Sequence, residues 1–343
     1  MNDTPDITTD TPTAASPVAS PAPAAPELSR AADRLKAVAA EVAKIIIGQD
    51  AMIEQIMVAL LARGHVLLEG VPGTAKTLTV RALSAALHAR MKRIQFTPDL
   101  MPSDITGTNV FDLREQNFKL RPGPIFTDLL LADEINRAPA KTQAALLEAM
   151  SERHATIDGD RRELSPIFTV FATQNPIEFE GTYPLPEAQQ DRFMLKIRVD
   201  YPDAEAEMRI LDRIHRGQAP DEQITDAIKP VLTVAELQTI AQALPGVRVE
   251  PGVMRYVLQV VLATRKHEAL VMGAGPRGSI YLLQAAKARA LIHSRDFVTP
   301  DDVVAMAEPV LGHRIVMTAE AEISGETPAG VLRSILDKIE VPR

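Results

Sequence analysis

The chain has 343 residues, with 37 Lys and Arg against 45 Asp and Glu, a formal net charge of −8 and 46% hydrophobic residues; this is length for two or three domains, and the mildly acidic balance argues against broad duplex-DNA binding, which draws most of its affinity from phosphate neutralisation. It contains no Cys, which excludes disulfides, thiolate zinc sites and thiol catalysis. No apolar run reaches the roughly 18–20 residues that a membrane span needs, and the N-terminal stretch lacks the basic-then-apolar order of a signal peptide, so a cytoplasmic protein is expected.

Residues 1–29 are rich in Pro, Ala, Thr and Ser. They offer almost no large apolar groups to offset the entropy of ordering, so a disordered tail is expected. Order is expected from about residue 30, with Ser29 as a helix cap and Leu35, Val38, Val42 and Ile45 at helical spacing. The run Ile45-Ile46-Ile47-Gly48-Gln49 breaks that pattern, and a second helix over 50–62 carries Ile53, Ile56, Met57 and Leu60 on one face. Segments 65–69, 94–96, 129–132, 168–172 and 195–199 read as short apolar strands, with helices starting near Lys76 and Pro139 between them. Residues 105–125, with Gly107, Pro122, Gly123 and Pro124 among polar neighbours, read as an inserted loop or hairpin. Short apolar strands alternating with helices indicate an α/β fold, a parallel sheet covered on both faces. After Pro202 no strand is predicted: 203–216, 233–243, 251–267, 277–293 and 300–310 look helical, and Val253, Val257, Val260 and Val261 form one apolar stripe. The expected division is a core at 30–202 and a helical second domain at 203–343.

Gly70-Val71-Pro72-Gly73-Thr74-Ala75-Lys76-Thr77 lies between a predicted strand and a predicted helix, as a phosphate loop must. Its amides and the helix dipole would face phosphate, Lys76 would reach the β- and γ-phosphates, and the Thr77 hydroxyl would ligate Mg²⁺. Ala75 stands where the usual pattern has Gly; Ala resists positive φ, so a loop already curling as the helix start is expected there. Taken alone, the segment could also be an ordinary strand–turn–helix corner. A second signal is the apolar strand that ends in Asp133-Glu134. Asp133 would hold Mg²⁺ and Glu134 would polarise the attacking water as general base. A third is Ala172-Thr173-Gln174-Asn175-Pro176 after another apolar strand, where the neutral amide of Asn175 could orient water and γ-phosphate.

These strings resemble the MoxR family of AAA+ ATPases. So do Phe96-Thr97-Pro98-Asp99-Leu100-Met101-Pro102-Ser103-Asp104, Asp133-Glu134-Ile135-Asn136-Arg137-Ala138-Pro139 and Leu185-Pro186-Glu187-Ala188-Gln189-Gln190-Asp191-Arg192-Phe193. The resemblance runs from about residue 33 to 330. It implies a P-loop NTPase core followed by a helical lid, and a homo-oligomeric ring, usually of six subunits, with ATP at the interfaces. It implies that Gly48 and Gln49 belong to the adenine-side segment and Asn175 to the sensor-1 position. It implies that Arg192 is an arginine finger for the neighbouring subunit and Arg277 a sensor-2 arginine on the lid. The plainer readings are a surface ion pair for Arg192 and a packing role for Arg277. Gly275 and Gly278 flank Pro276-Arg277 where the family usually has Ser and Ala. Residues 105–125 match a helix-2 insertion and 153–166 a hairpin ahead of sensor 1.

The seven His show no metal spacing: His267-Glu268 lacks the second His of H-E-x-x-H, and His313-Arg314 reads as structural. No guanine-reading N-K-x-D segment occurs, and without Trp and with 4% aromatics there is little for base stacking. The expected activity is Mg²⁺-ATP hydrolysis that remodels a protein client. The family resemblance suggests a partner with a von Willebrand factor A domain, and chaperone-like work in maturing protein complexes. The alternatives are a nucleic-acid motor using Lys119, Arg121, Arg161 and Arg162, a metal-chelatase-type motor subunit, or a nucleotide-gated scaffold.

Overall fold

A computed structural model describes residues 25–71, 73–175, 183–218, 224 and 227–342. Residues 1–24 of the expected tail, and Pro72 of the loop, lie outside the described residues. Helix α1 (Ala25–Ala43) starts ahead of its expected cap, so Ser29 is inside the helix and the last residues assigned to the tail are helical. The reason is Leu28, which is buried on the same stripe as Leu35, Val38 and Val42 and extends the apolar face by another turn.

The core continues with α2 (Asp50–Leu61), β1 (Val66–Glu69), α3 (Lys76–Ala86) and β2 (Met91–Gln95). Next come α4 (Pro102–Thr106) and the antiparallel hairpin β3 (Gly107–Asp112) and β4 (Asn117–Pro122). They are followed by β5 (Leu129–Asp133), α5 (Ala140–Glu152) and a second hairpin, β6 (His154–Ile157) and β7 (Asp160–Glu163). The core closes with β8 (Thr169–Gln174), α6 (Glu187–Gln190), β9 (Leu195–Arg198) and α7 (Ala204–His215). The five core strands form one parallel sheet in the order β2-β5-β8-β1-β9.

Side-chain alternation sends Val66, Leu68, Leu129, Leu131 and Phe171 to one face, under α1, α2 and α3. It sends Leu67, Leu130, Ala132, Val170 and Ala172 to the other, with Leu146, Leu147 and Met150 of α5. Both faces are therefore apolar, which is why these strands read as continuous rather than alternating runs. His65 enters this core neutral: Nδ1 accepts from the Val170 N–H at 3.0 Å and Nε2 donates to Met150 O at 3.0 Å.

Past α7 the chain is mainly helical, with helices Val234–Ala243, Pro251–Thr264, Pro276–Ile292, Pro300–Leu311 and Pro328–Lys338. It is not strand-free, as the sequence had suggested. A short antiparallel ribbon, β10 (Leu270–Met272) and β11 (Val316–Met317), ties two helical connections together, and Met317 packs with Ala269, Val331 and Ile335 in a small cluster of its own. Among the described residues, no helix is long and apolar enough to cross a membrane.

Candidate nucleotide site

Because the core strands are parallel, their C-terminal ends meet at one edge of the sheet, where open α/β sheets bind ligands. Glu69 pairs with Gln174, and Gln95 pairs with Asp133. Strand β8 lies between β1 and β5. Its tip, Thr173 to Asn175, is thereby inserted between the loop after β1 and the acids after β5. A cleft of about 740 Å³ opens there, lined among others by Thr74, Lys76, Thr77, Asp133, Glu134 and Asn175, a volume within the range of small-molecule sites. Its other end is apolar, formed by Ile45, Ile46 and Ile47 with Pro202 and Ile210, and Gln49 joins them. The Gln49 amide donates to Asp200 O at 2.9 Å. Gly48 has φ +74°, and a Cβ there would stand 2.5 Å from the Ala206 Cβ, so only glycine lets this segment pass against α7.

The loop curls tightly before α3. Gly73 has φ +84° and Ala75 has φ +61°. The expectation that Ala75 avoids positive φ is therefore corrected: Ala75 is left-handed immediately ahead of Lys76, a conformation that costs an L-residue roughly 1–2 kcal/mol. The Lys76 ammonium donates to Gly70 O, and to Val71 O at 3.1 Å. Burial depresses its pKa, against the opposing pull of Asp133 and Glu134. It is thus a partly desolvated cation held by the carbonyls of its own loop.

The two acids are tied into a network across three strands. The Thr173 hydroxyl donates to Asp133 Oδ1 at 2.5 Å and accepts from the Glu134 N–H at 2.8 Å. Arg93 donates to Asp133 Oδ2 from Nη2 at 2.6 Å and from Nε at 3.1 Å. Glu134 Oε2 accepts from Gln95 Nε2 at 2.8 Å and from Arg137 Nη1 at 2.8 Å. Glu134 itself is left-handed, at φ +55°, and strain of this kind concentrates at functional sites. Sequence reasoning gave no role to Arg93, Gln95 or Thr173. The available signal was the i, i+2 spacing of Arg93 and Gln95, which sets both on one face of a strand.

The donors around this cleft fit Mg²⁺. They are hard oxygens, the Thr77 hydroxyl and the carboxylates of Asp133 and Glu134, and Mg²⁺ is held by one or two carboxylates together with substrate phosphates. No group of three or more His, Cys, Asp or Glu poised for a metal occurs among the described residues, so a cage made of protein alone is not what this edge offers. The Gln174 Oε1 atom at the same edge is buried without a hydrogen-bond partner.

Of the expected site residues, Gly48, Gly70 and Val71 flank the lining without entering it, and Arg192 and Arg277 lie apart from it. Arg192 donates from Nη1 to Leu147 O and Ser151 Oγ, both at 2.8 Å, on the last two turns of α5. Arg277 pairs with Asp191 Oδ2 at 2.8 Å, and the helix carrying it starts at Pro276 despite the flanking glycines. Asp191 Oδ1 also accepts from Arg314 Nε at 2.9 Å. Arg314 is buried and bonds the carbonyls of Asp191, Phe193 and Met194, while His313 Nε2 meets Phe193 O at 3.0 Å. Burial lowers the Arg314 pKa to about 10, against Asp191. His313 and Arg314 are thus lid residues gripping the core segment that carries Arg192. On the hairpins, Lys119 pairs with Asp112 and Glu115, Arg161 with Glu163 and Arg162 with Asp160, so each of these exposed cations has an acidic neighbour.

Comparison with known proteins agrees with this geometry. A family model described as the ATPase family associated with various cellular activities (AAA) matches residues 65–195, and one described as an AAA lid domain matches residues 262–335. The chain is 44% identical to Chaperone MoxR1 of Mycobacterium tuberculosis, over 88% of this chain and 81% of that one. It is 31% identical to Protein MoxR of Methylorubrum extorquens, over 88% and 93%. A solved structure from Cytophaga hutchinsonii superposes with a TM-score of 0.85 at 38% identity, covering 93% of this chain and 98% of that one.

Proposed function

The chain belongs to the MoxR family of AAA+ ATPases, and from that premise we propose that it hydrolyses Mg²⁺-ATP as a homo-oligomeric ring, six-membered in our reading, that remodels a protein client. The observation that carries this reading is the convergence of Lys76, Thr77, Asp133, Glu134 and Asn175 on one cleft. In this account residues 30–202 are the nucleotide-binding unit and 203–343 the lid. The segment Gly48-Gln49 with Ile45 to Ile47 takes the adenine. The backbone N–H groups of Gly70, Val71, Gly73, Thr74 and Ala75 cradle the phosphates, Pro72 belongs to the loop without an N–H to donate, and Lys76 leaves its loop carbonyls for them. Thr77 and Asp133 hold Mg²⁺, which supplies charge neutralisation at the phosphate oxygens. Glu134 accepts a proton from the attacking water, and the Asn175 amide orients that water.

Arg192 and Arg277 are absent from the lining of their own cleft, although an arginine at the transferring phosphate contributes about 10³–10⁵ in rate. A ring in which one copy's arginines serve the next copy's phosphate accounts for both facts. Because Arg314 and Asp191 join the lid to the segment bearing Arg192, lid movement would move that finger. The reading includes a cytoplasmic location, where ATP is supplied, and a protein client rather than nucleic acid. The β3–β4 hairpin favours such a client: it exposes Val110, Phe111, Leu113 and Phe118, with Phe111 and Phe118 packed edge to face at 5.2 Å, and its Lys119 is already paired. A von Willebrand factor A domain protein is the client class this family assignment suggests.

The test is steady-state ATPase rate against protein concentration for the wild type, Glu134→Gln and Arg192→Ala. Specific activity is expected to rise with concentration, and both variants to bind ATP without turning it over. A wild type that binds ATP yet hydrolyses none at any concentration would leave a nucleotide-gated scaffold instead.

A further inference from the structure

Arg93 lies on the edge strand β2, in register with Leu131, yet its side chain runs diagonally toward the strand end and reaches Asp133. Both N–H groups it uses go to the same oxygen, Oδ2, while Oδ1 is taken by the Thr173 hydroxyl. Each carboxylate oxygen of Asp133 is therefore engaged inside the protein. Arg93 Nη2 also donates to Gln95 Oε1 at 2.9 Å, and Gln95 in turn donates to Glu134, so one strand bridges both acids. The two partners differ in freedom: the Arg93 side chain is 53% exposed and the Asp133 side chain 14%. The arginine is the arm that can swing, and it lines the same cleft as Lys76 and Thr77.

We propose that Arg93 is a counter-cation that competes with divalent metal for the Oδ2 atom of Asp133 and yields that atom to Mg²⁺ when a nucleotide accompanies it, so that the acids do not collect divalent cations on their own. This rests on the reading of the cleft as a Mg²⁺-ATP site. The physical case is charge balance. Asp133 and Glu134 with the Thr77 hydroxyl are hard oxygen donors of the kind that attract divalent cations, and the Lys76 ammonium is held on Gly70 and Val71 carbonyls rather than on the acids. A guanidinium held by two charge-assisted N–H bonds on Asp133 must be displaced before a cation can take that oxygen. Free metal brings nothing to compensate the displaced arginine, whereas a nucleotide brings phosphate oxygens that give it a new anionic partner.

The experiment titrates Mn²⁺ into the nucleotide-free protein and follows free Mn²⁺ by electron paramagnetic resonance. The wild type is compared with the neutral variants Arg93→Gln and Arg93→Met and with Arg93→Lys, which keeps the charge. Both neutral variants are expected to bind Mn²⁺ about ten- to a hundredfold more tightly, since that is what removing one charge a few ångströms from a divalent cation changes in a half-solvated cleft. Arg93→Lys is expected to stay near the wild type, and Asp133→Asn added to Arg93→Gln to abolish the gain. Using two neutral variants keeps the test usable where one fails to fold. Equal Mn²⁺ binding by the wild type and the neutral variants overturns the assignment. The same wild-type sample is titrated with a fluorescent ATP analogue and Mg²⁺. If it binds the analogue while the Mn²⁺ curves coincide, only the role of Arg93 falls; if it binds no Mg²⁺-nucleotide, the site reading falls with it.

Discussion

Replacing Thr173 with Val keeps the volume and the β-branch and removes only the hydroxyl. In the structure that hydroxyl is buried and does two things: it donates to Asp133 Oδ1 at 2.5 Å and accepts from the Glu134 N–H at 2.8 Å. Losing a hydrogen bond to a charged group costs about 1.5–3 kcal/mol, and leaving a buried N–H without a partner about 1–3 kcal/mol. Asp133 keeps Arg93, which offsets part of this, so the net loss is about 2–4 kcal/mol. With an m-value near 3 kcal/mol/M the urea midpoint should fall by about 1 M. The effect on turnover should be larger than the effect on ATP affinity. The left-handed backbone of Glu134 is a conformation that neighbours must enforce, and without its acceptor the carboxylate is free to leave the position from which it would take a proton. Urea unfolding followed by circular dichroism, fluorescent-nucleotide binding and steady-state ATPase rates measure the three quantities, with Thr173→Ser as the control that keeps the hydroxyl. A Thr173→Val protein with an unchanged midpoint and wild-type turnover would refute the idea that this hydroxyl holds the acid pair.

Arg314→Met should cost about 3–4 kcal/mol, because it removes a buried guanidinium from several carbonyls and leaves Asp191 only its Arg277 pair; the melting temperature should drop roughly 5 °C, and a drop below about 2 °C contradicts the latch. Burial depresses the His65 pKa from 6.5 to about 3, so the unfolded chain binds a proton that the folded chain refuses. Stability is then full above about pH 6.5 and falls as the pH drops toward 3, by about 1.4 kcal/mol per unit from this group, and His313, also depressed by burial, acts in the same direction. The stability of His65→Gln should fall less steeply than that of the wild type between pH 6.5 and 5, and equal slopes would contradict this. Ala75→Gly relieves the left-handed alanine, worth about 1 kcal/mol, but raises the entropy of the unfolded chain by about 0.4–1 kcal/mol. Calorimetry should show a net change within about 0.5 kcal/mol with nucleotide binding retained, and a large loss of either would mean that the Ala75 methyl group is needed for packing.

The parts of the site that are local in the chain were legible in the sequence. A glycine-bearing loop and a lysine at the next helix start occupy eight consecutive positions, Gly70 to Thr77, directly after a strand, and Asp133-Glu134 stand at the end of a strand whose burial its four apolar residues announce. The partners of those acids were not legible, because strand register decides them. Nothing in the segment 91–95 says that it will lie beside β5 with Gln95 opposite Asp133. The same holds for Asp191 and Arg277, which meet across 86 positions of chain. The β10–β11 ribbon escaped notice because its strands are two and three residues long, too short for any period to show. The left-handed Ala75 shows the limit of reading propensity alone: the turn that aims the loop into α3 overrides what alanine prefers.

The central claim is that ATP hydrolysis in each cleft is completed by an arginine from a second copy. The most direct test mixes Glu134→Gln, whose cleft is disabled and whose Arg192 is intact, with Arg192→Ala, whose cleft is intact. Each alone should be inactive, and the mixture should recover ATPase activity, because mixed assemblies set an intact cleft against an intact arginine. A mixture as inactive as its components, or an Arg192→Ala protein that hydrolyses ATP normally by itself, would contradict the account.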